Sequence, residues 1–138
     1  MFLTIALLLL VSTAVVPMLM LLAGWMMRLV ADSEPNRAVG FRTRLSMSSS
    51  EAWRYANMYL GRKWGVQGLI MLGVSLGAVL VLLLSFGSSL IVRGAALSWI
   101  VVGVTAAQVL WMVFSCWEAE RHLRTVFRPD GSRISRNG

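Results

Sequence analysis

Acidic residues are few in this chain, six in 138, while cysteine and histidine occur once each and proline three times. The single Cys116 excludes an internal disulfide, so nothing in the fold depends on an oxidising compartment. The single His122 stands near the C-terminal end without the cysteine or acid spacing that would hold a metal, and no metal or other cofactor is expected. The most telling absence is of charge. Met1 to Met27, Trp64 to Val92 and Gly94 to Trp117 contain no Asp, Glu, Lys, Arg or His over 27, 29 and 24 residues. Those runs therefore carry none of the intramembrane charges that mark ion or proton pathways, and no nucleophile beside a base.

What is present is hydrophobic length. A bilayer core of about 30 Å needs about 20 apolar residues at helical rise, and each run exceeds that. Lipid offers backbone groups no water, so each run should be a helix. The fold class expected is all-α integral membrane, three transmembrane helices with a cytoplasmic amphipathic helix between the first and second. The chain divides into a first span (1–30), a basic segment (31–63) with an interfacial helix at about 49–63, a hairpin of spans (64–117, about 64–86 and 95–117) and a basic tail (118–138). The first run lacks a basic n-region and exceeds a signal-peptide core in length, so it reads as a retained helix, loosened at Pro17.

Lys and Arg set the orientation. Seven lie between Arg28 and Lys63 and five in the tail (Arg121, Arg124, Arg128, Arg133, Arg136), leaving only Arg93 elsewhere. Short basic loops stay inside, which places the N-terminus outside, the 28–63 segment inside, the Gly87 to Gly94 turn outside and the C-terminus inside. The same rule accounts for the net charge of +7 and the pI near 11.3 without nucleic acid, and it favours anionic headgroups as partners. Trp25, Trp64 and Trp117 fall at the inner ends and Trp99 near an outer one, as amphipathic rings prefer, while Trp111 falls within the core.

Small residues suggest how the spans pack. Gly61, Gly65, Gly73 and Gly77 recur at multiples of four, and Gly103, Ala106 and Ala107 form a patch on the third span; packing within the chain and dimerisation both fit. Gln108 should face another helix, either for an interhelical hydrogen bond of about 0.6 kcal/mol or as a site residue. In the tail, Glu120 and Arg124 at i and i+4 support a helix running on to the breaker Pro129-Asp130-Gly131, with disorder or a partner contact beyond; His122 reads as solvated.

The 36–64 segment is the most informative. Ser48-Ser49-Ser50-Glu51 fits a capping box, so a helix should start there. Trp53, Ala56, Asn57, Leu60 and Trp64 then share one stripe, suited to lying in the inner interface before the chain turns into span two. Asn57 interrupts that stripe, and a buried amide needs partners; the nearby ones are the guanidinium groups and backbone of Gly40 to Thr43.

At these residues the chain resembles the SdpI family, bacterial membrane proteins named for immunity against a secreted killing peptide. Asn36, then Gly40-Phe41-Arg42-Thr43, Ser46-Met47, Glu51-Ala52-Trp53 and Ala56-Asn57 with Gly61 are similar to its motif, and the resemblance covers about Pro35 to Trp117. It implies two spans after the motif and Asn36, Gly40, Arg42, Thr43, Trp53 and Asn57 as the binding residues. It also implies protection from a peptide toxin and signalling by drawing a transcriptional repressor to the membrane. The named immunity protein carries further spans before this module; here one precedes it. The expected function is therefore non-enzymatic, an SdpI-type immunity or signalling protein whose partner is a peptide toxin or regulatory protein. The alternatives are a small accessory subunit of a larger membrane complex and, more weakly, an enzyme or transporter holding a lipid phosphate on Arg42, Arg44 and Arg54.

Overall fold

In the computed structural model, which describes residues 2–86 and 94–134, the chain forms α1 (Phe2–Val30), α2 (Ser50–Phe86) and α3 (Gly94–Val126). No strand occurs among the described residues, where an isolated bridge pairs Phe127 with Arg133. All three helices are long and apolar enough to cross a membrane. The protein is an all-α, multi-pass membrane protein. The Gly87 to Arg93 connection lies outside the described residues, as do the last four.

The separate interfacial helix expected at 49–63 is not there. α2 is continuous over 37 residues, about 55 Å at helical rise, against a hydrocarbon layer of about 30 Å. Two causes act together. No proline interrupts residues 50–86, and the glycines within them lower helix propensity without stopping it. The stripe that would have lain on lipid is also buried in protein, with Trp53 and Leu60 at 0% exposure, Ala56 at 2% and Trp64 at 7%. α2 thus projects from the membrane as a rigid post, and α3 runs on past Trp117 to Val126 beside it.

Around that post the chain builds its core. Met20 and Met27 of α1, Phe41 and Leu45 of the 31–49 connection, and Ala119, Leu123 and Phe127 at the end of α3 enclose Ala52, Ala56, Leu60 and Trp64. Toward the other end the helices expose their large apolar side chains, Leu80, Leu84, Trp99 and Val102 among them, as a lipid-facing surface does.

α1 packs against α2 through close backbone approach. A Cβ on Gly24 would stand 2.8 Å from the Gly61 carbonyl, and one on Gly68 3.1 Å from the carbonyl of Pro17. Of the four glycines singled out in the sequence only Gly61 works this way; Gly65, Gly73 and Gly77 face open space, and so does Gly103. Through Pro17 α1 remains helical. Gln108 does face the other helices: its Nε2 donates to the Thr13 carbonyl of α1 (3.2 Å) and to Ser75 Oγ of α2 (3.0 Å). Trp64, expected at the headgroup level, donates its indole N–H to Ser115 Oγ of α3 at 2.7 Å.

Candidate functional site

The basic end begins with an N-cap. Ser49 Oγ accepts the Ala52 amide at 3.1 Å and donates to the Gly131 carbonyl at 2.8 Å. With Ser49 as cap, the third helical residue is Ala52, so Glu51 does not complete the reciprocal half of a capping box. Its carboxylate meets Arg133 at 3.4 Å.

One turn on, three motif residues interlock. Gly40 holds φ at +120°, and a Cβ there would lie 2.6 Å from the Trp53 ring and 2.8 Å from Asn57 Oδ1. Only glycine fits, for conformation and for space. Asn57, fully buried, accepts the Phe41 amide on Oδ1 at 2.7 Å and donates from Nδ2 to the Trp53 carbonyl at 3.0 Å. Trp53 donates its indole N–H to the Val30 carbonyl at 2.9 Å, closing the C-terminal end of α1. Asn57 therefore finds the backbone partner its sequence context predicts.

Thr43 continues the chain of bonds. Its Oγ1 accepts the Ser46 amide (3.1 Å), while Ser46 Oγ accepts the Thr43 amide (2.8 Å) and donates to the Phe41 carbonyl (2.7 Å). Asn36 is spent locally: Oδ1 accepts the amides of Ala38 and Val39, both at 3.0 Å. Arg42 stands apart from this cluster. Its side chain is exposed and donates to the Arg37 carbonyl, and among the described residues no guanidinium bonds Asn57.

Sequence reasoning overlooked a second cluster. His122 is half-buried, not solvated: its Nε2 lies 2.9 Å from the Tyr55 hydroxyl and its ring stacks on Tyr59 at 4.6 Å, with Phe127 edge-on to Tyr55 at 5.5 Å. The signal available was Tyr55 and Tyr59 at i and i+4, off the apolar stripe. Lys63 pairs with Glu118 beside them at 2.5 Å. The tail after Val126 folds back over this end. Gly131, with φ +83°, packs on Ser48, and Asp130 accepts the Ser132 amide and hydroxyl at 2.9 and 2.7 Å, which holds its carboxyl below the usual range. Up to Ile134 the tail contacts its own chain, where disorder or a partner was expected.

The motif's buried polar atoms are thus engaged with one another and with backbone, which makes the cluster a lock holding the 36–46 loop on α2. What the loop turns outward is charge: Arg37, Arg42 and Arg44 are all exposed.

No solved structure matches this chain. An uncharacterized protein of Bacillus subtilis (strain 168), YfhL, is 36% identical over 58 residues, which is 42% of this chain, and the chain spans about half (53%) of that relative's length. The SdpI/YfhL protein family matches residues 33–117, well over half the chain and the whole of the interlocked loop, so this protein belongs to the SdpI/YfhL family.

Proposed function

We propose that this protein is a non-enzymatic immunity or signalling protein of the bacterial plasma membrane, with its N-terminus outside and its basic end in the cytoplasm. Its partner is a secreted peptide toxin or a regulatory protein. The observation that carries the reading is the lock of Gly40, Trp53 and Asn57, which fixes a loop whose Arg37, Arg42 and Arg44 point away from the protein. Preorganised cations of this kind suit the acidic face of a protein partner and steer its approach. Family membership supports this reading over that of an accessory subunit, and the mutual satisfaction of the motif's polar groups supports a binding surface over a reaction centre.

The test is survival. Cells expressing the chain are challenged with the secreted killing peptide of an SdpI-type system and compared with cells lacking it. Protection that disappears in Arg42→Ala, at unchanged membrane abundance, is the expected result. Unprotected cells, with no cytoplasmic protein recruited to the membrane either, would overturn the proposal.

A further inference from the structure

The face of α2 opposite the buried stripe lines a groove of about 710 Å³ that runs from Arg54 past Tyr59 to Arg62, Lys63 and Val66, with Arg133 of the tail at its upper edge. Three of its four cations already have acids: Arg54 meets Asp32 at 2.8 Å, Lys63 meets Glu118, and Arg133 meets Glu51. Arg62 meets none among the described residues and is exposed. Directly below it on the helix the surface turns apolar, with Val66, Leu69 and Ile70 exposed by 60, 63 and 62%.

Arg62 and Val66 are one turn apart, about 6 Å along the axis. That matches a headgroup layer of about 5–7 Å per leaflet, taken as the difference between whole bilayer and hydrocarbon core. We infer that this groove holds one anionic phospholipid of the adjoining leaflet, its phosphate on Arg62 and an acyl chain along Val66 and Ile70. A guanidinium presents paired donors to phosphate oxygens. The single uncompensated charge suits a lipid of net charge −1, whereas the choline of a zwitterionic lipid would be brought toward Arg54 and Arg133. Tyr59, half-buried with Lys63 5.9 Å from its ring centre, forms the wall beside the headgroup.

The experiment uses the full chain in mild detergent with equal amounts of phosphatidylglycerol and phosphatidylcholine of identical acyl chains, counting retained lipids by native mass spectrometry. One phosphatidylglycerol should be kept in preference. Arg62→Gln should lower its occupancy about fivefold, the loss of one basic residue's attraction to an anionic surface. Arg62→Lys should restore most of it. Arg121→Gln, which removes an exposed cation above Trp117 on α3, should change nothing. Equal retention of the two lipids, an unaffected Arg62→Gln, or an equal loss in Arg121→Gln would overturn the assignment. So would a bound peptide in place of the lipid.

Discussion

Asn57 and Gly40 sit on either side of one hydrogen bond. Replacing Asn57 with Leu keeps the branched shape and the heavy-atom count but strands the Phe41 amide inside the protein, at about 1–3 kcal/mol, while the Trp53 carbonyl keeps its partner within the helix. Thermal unfolding in detergent should show a clear loss of stability; an asparagine facing lipid would instead gain on becoming apolar. Gly40→Ala should cost about 1–3 kcal/mol from backbone conformation alone, before the collision with the Trp53 ring is added. Asp130 works on a smaller scale and with a known sign. Its carboxyl is held below the ordinary value of 3.8 chiefly by the Ser132 hydroxyl and amide, so the turn gains from the ionised form above that value and loses the gain as pH falls through the depressed one. The protection of the Ser132 amide, its exchange measured against the intrinsic rate at the same pH, should therefore fall in acid, and Asp130→Asn should abolish that dependence.

Among the helices, spacing alone did not decide which glycines matter. Gly61 and Gly73 belong to the same four-residue pattern, yet a Cβ at Gly61 would stand 2.8 Å from the Gly24 carbonyl and 2.9 Å from the Arg28 side chain of α1, while one at Gly73 meets nothing within 4 Å. Gly61→Leu is expected to weaken the α1–α2 contact by several degrees in melting temperature, and Gly73→Leu to leave it unchanged. The pattern was legible in the sequence; the face of α2 that α1 occupies was not, because Gly24, its counterpart, has no repeat to betray it. Gln108 and Trp64 illustrate the same limit. A lone amide in an apolar run announces that it needs a partner, and it has two. A tryptophan at a span boundary satisfies the rule for interfacial rings equally well whether it meets headgroups or, as here, Ser115 of the next helix. Ser115→Ala should leave that buried indole N–H unpaired at about 1–3 kcal/mol, measurable as a fall in melting temperature and a change in Trp64 fluorescence.

At the scale of the whole molecule, hydrophobic length and the motif carried the fold class, and the amide of Asn57 led to its backbone partner. The continuity of α2 and the burial of its stripe were hidden because the residues that cover it, Met27, Leu45, Leu123 and Phe127, come from distant parts of the chain. Orientation has a direct test. After removal of Cys116, cysteines at the exposed Ala38 and Ser132 should resist an impermeant thiol reagent in intact cells and react once the membrane is opened. Reaction in intact cells would invert the proposed topology.

The bond from Ser49 to Gly131 joins positions 82 residues apart and sits on the cap of the longest helix. During synthesis Gly131 follows the end of α2 by 45 residues, so the first turn of α2 and the loop it holds wait, unsealed, until the tail has emerged. A nascent chain stopped before Phe127 would lack both the ring that packs edge-on to Tyr55 and the carbonyl that holds Ser49. The closing of the basic end is therefore a late step of folding: membrane proteases should clear a chain truncated at Val126 faster than one that carries the tail, even though all three of its helices are inserted.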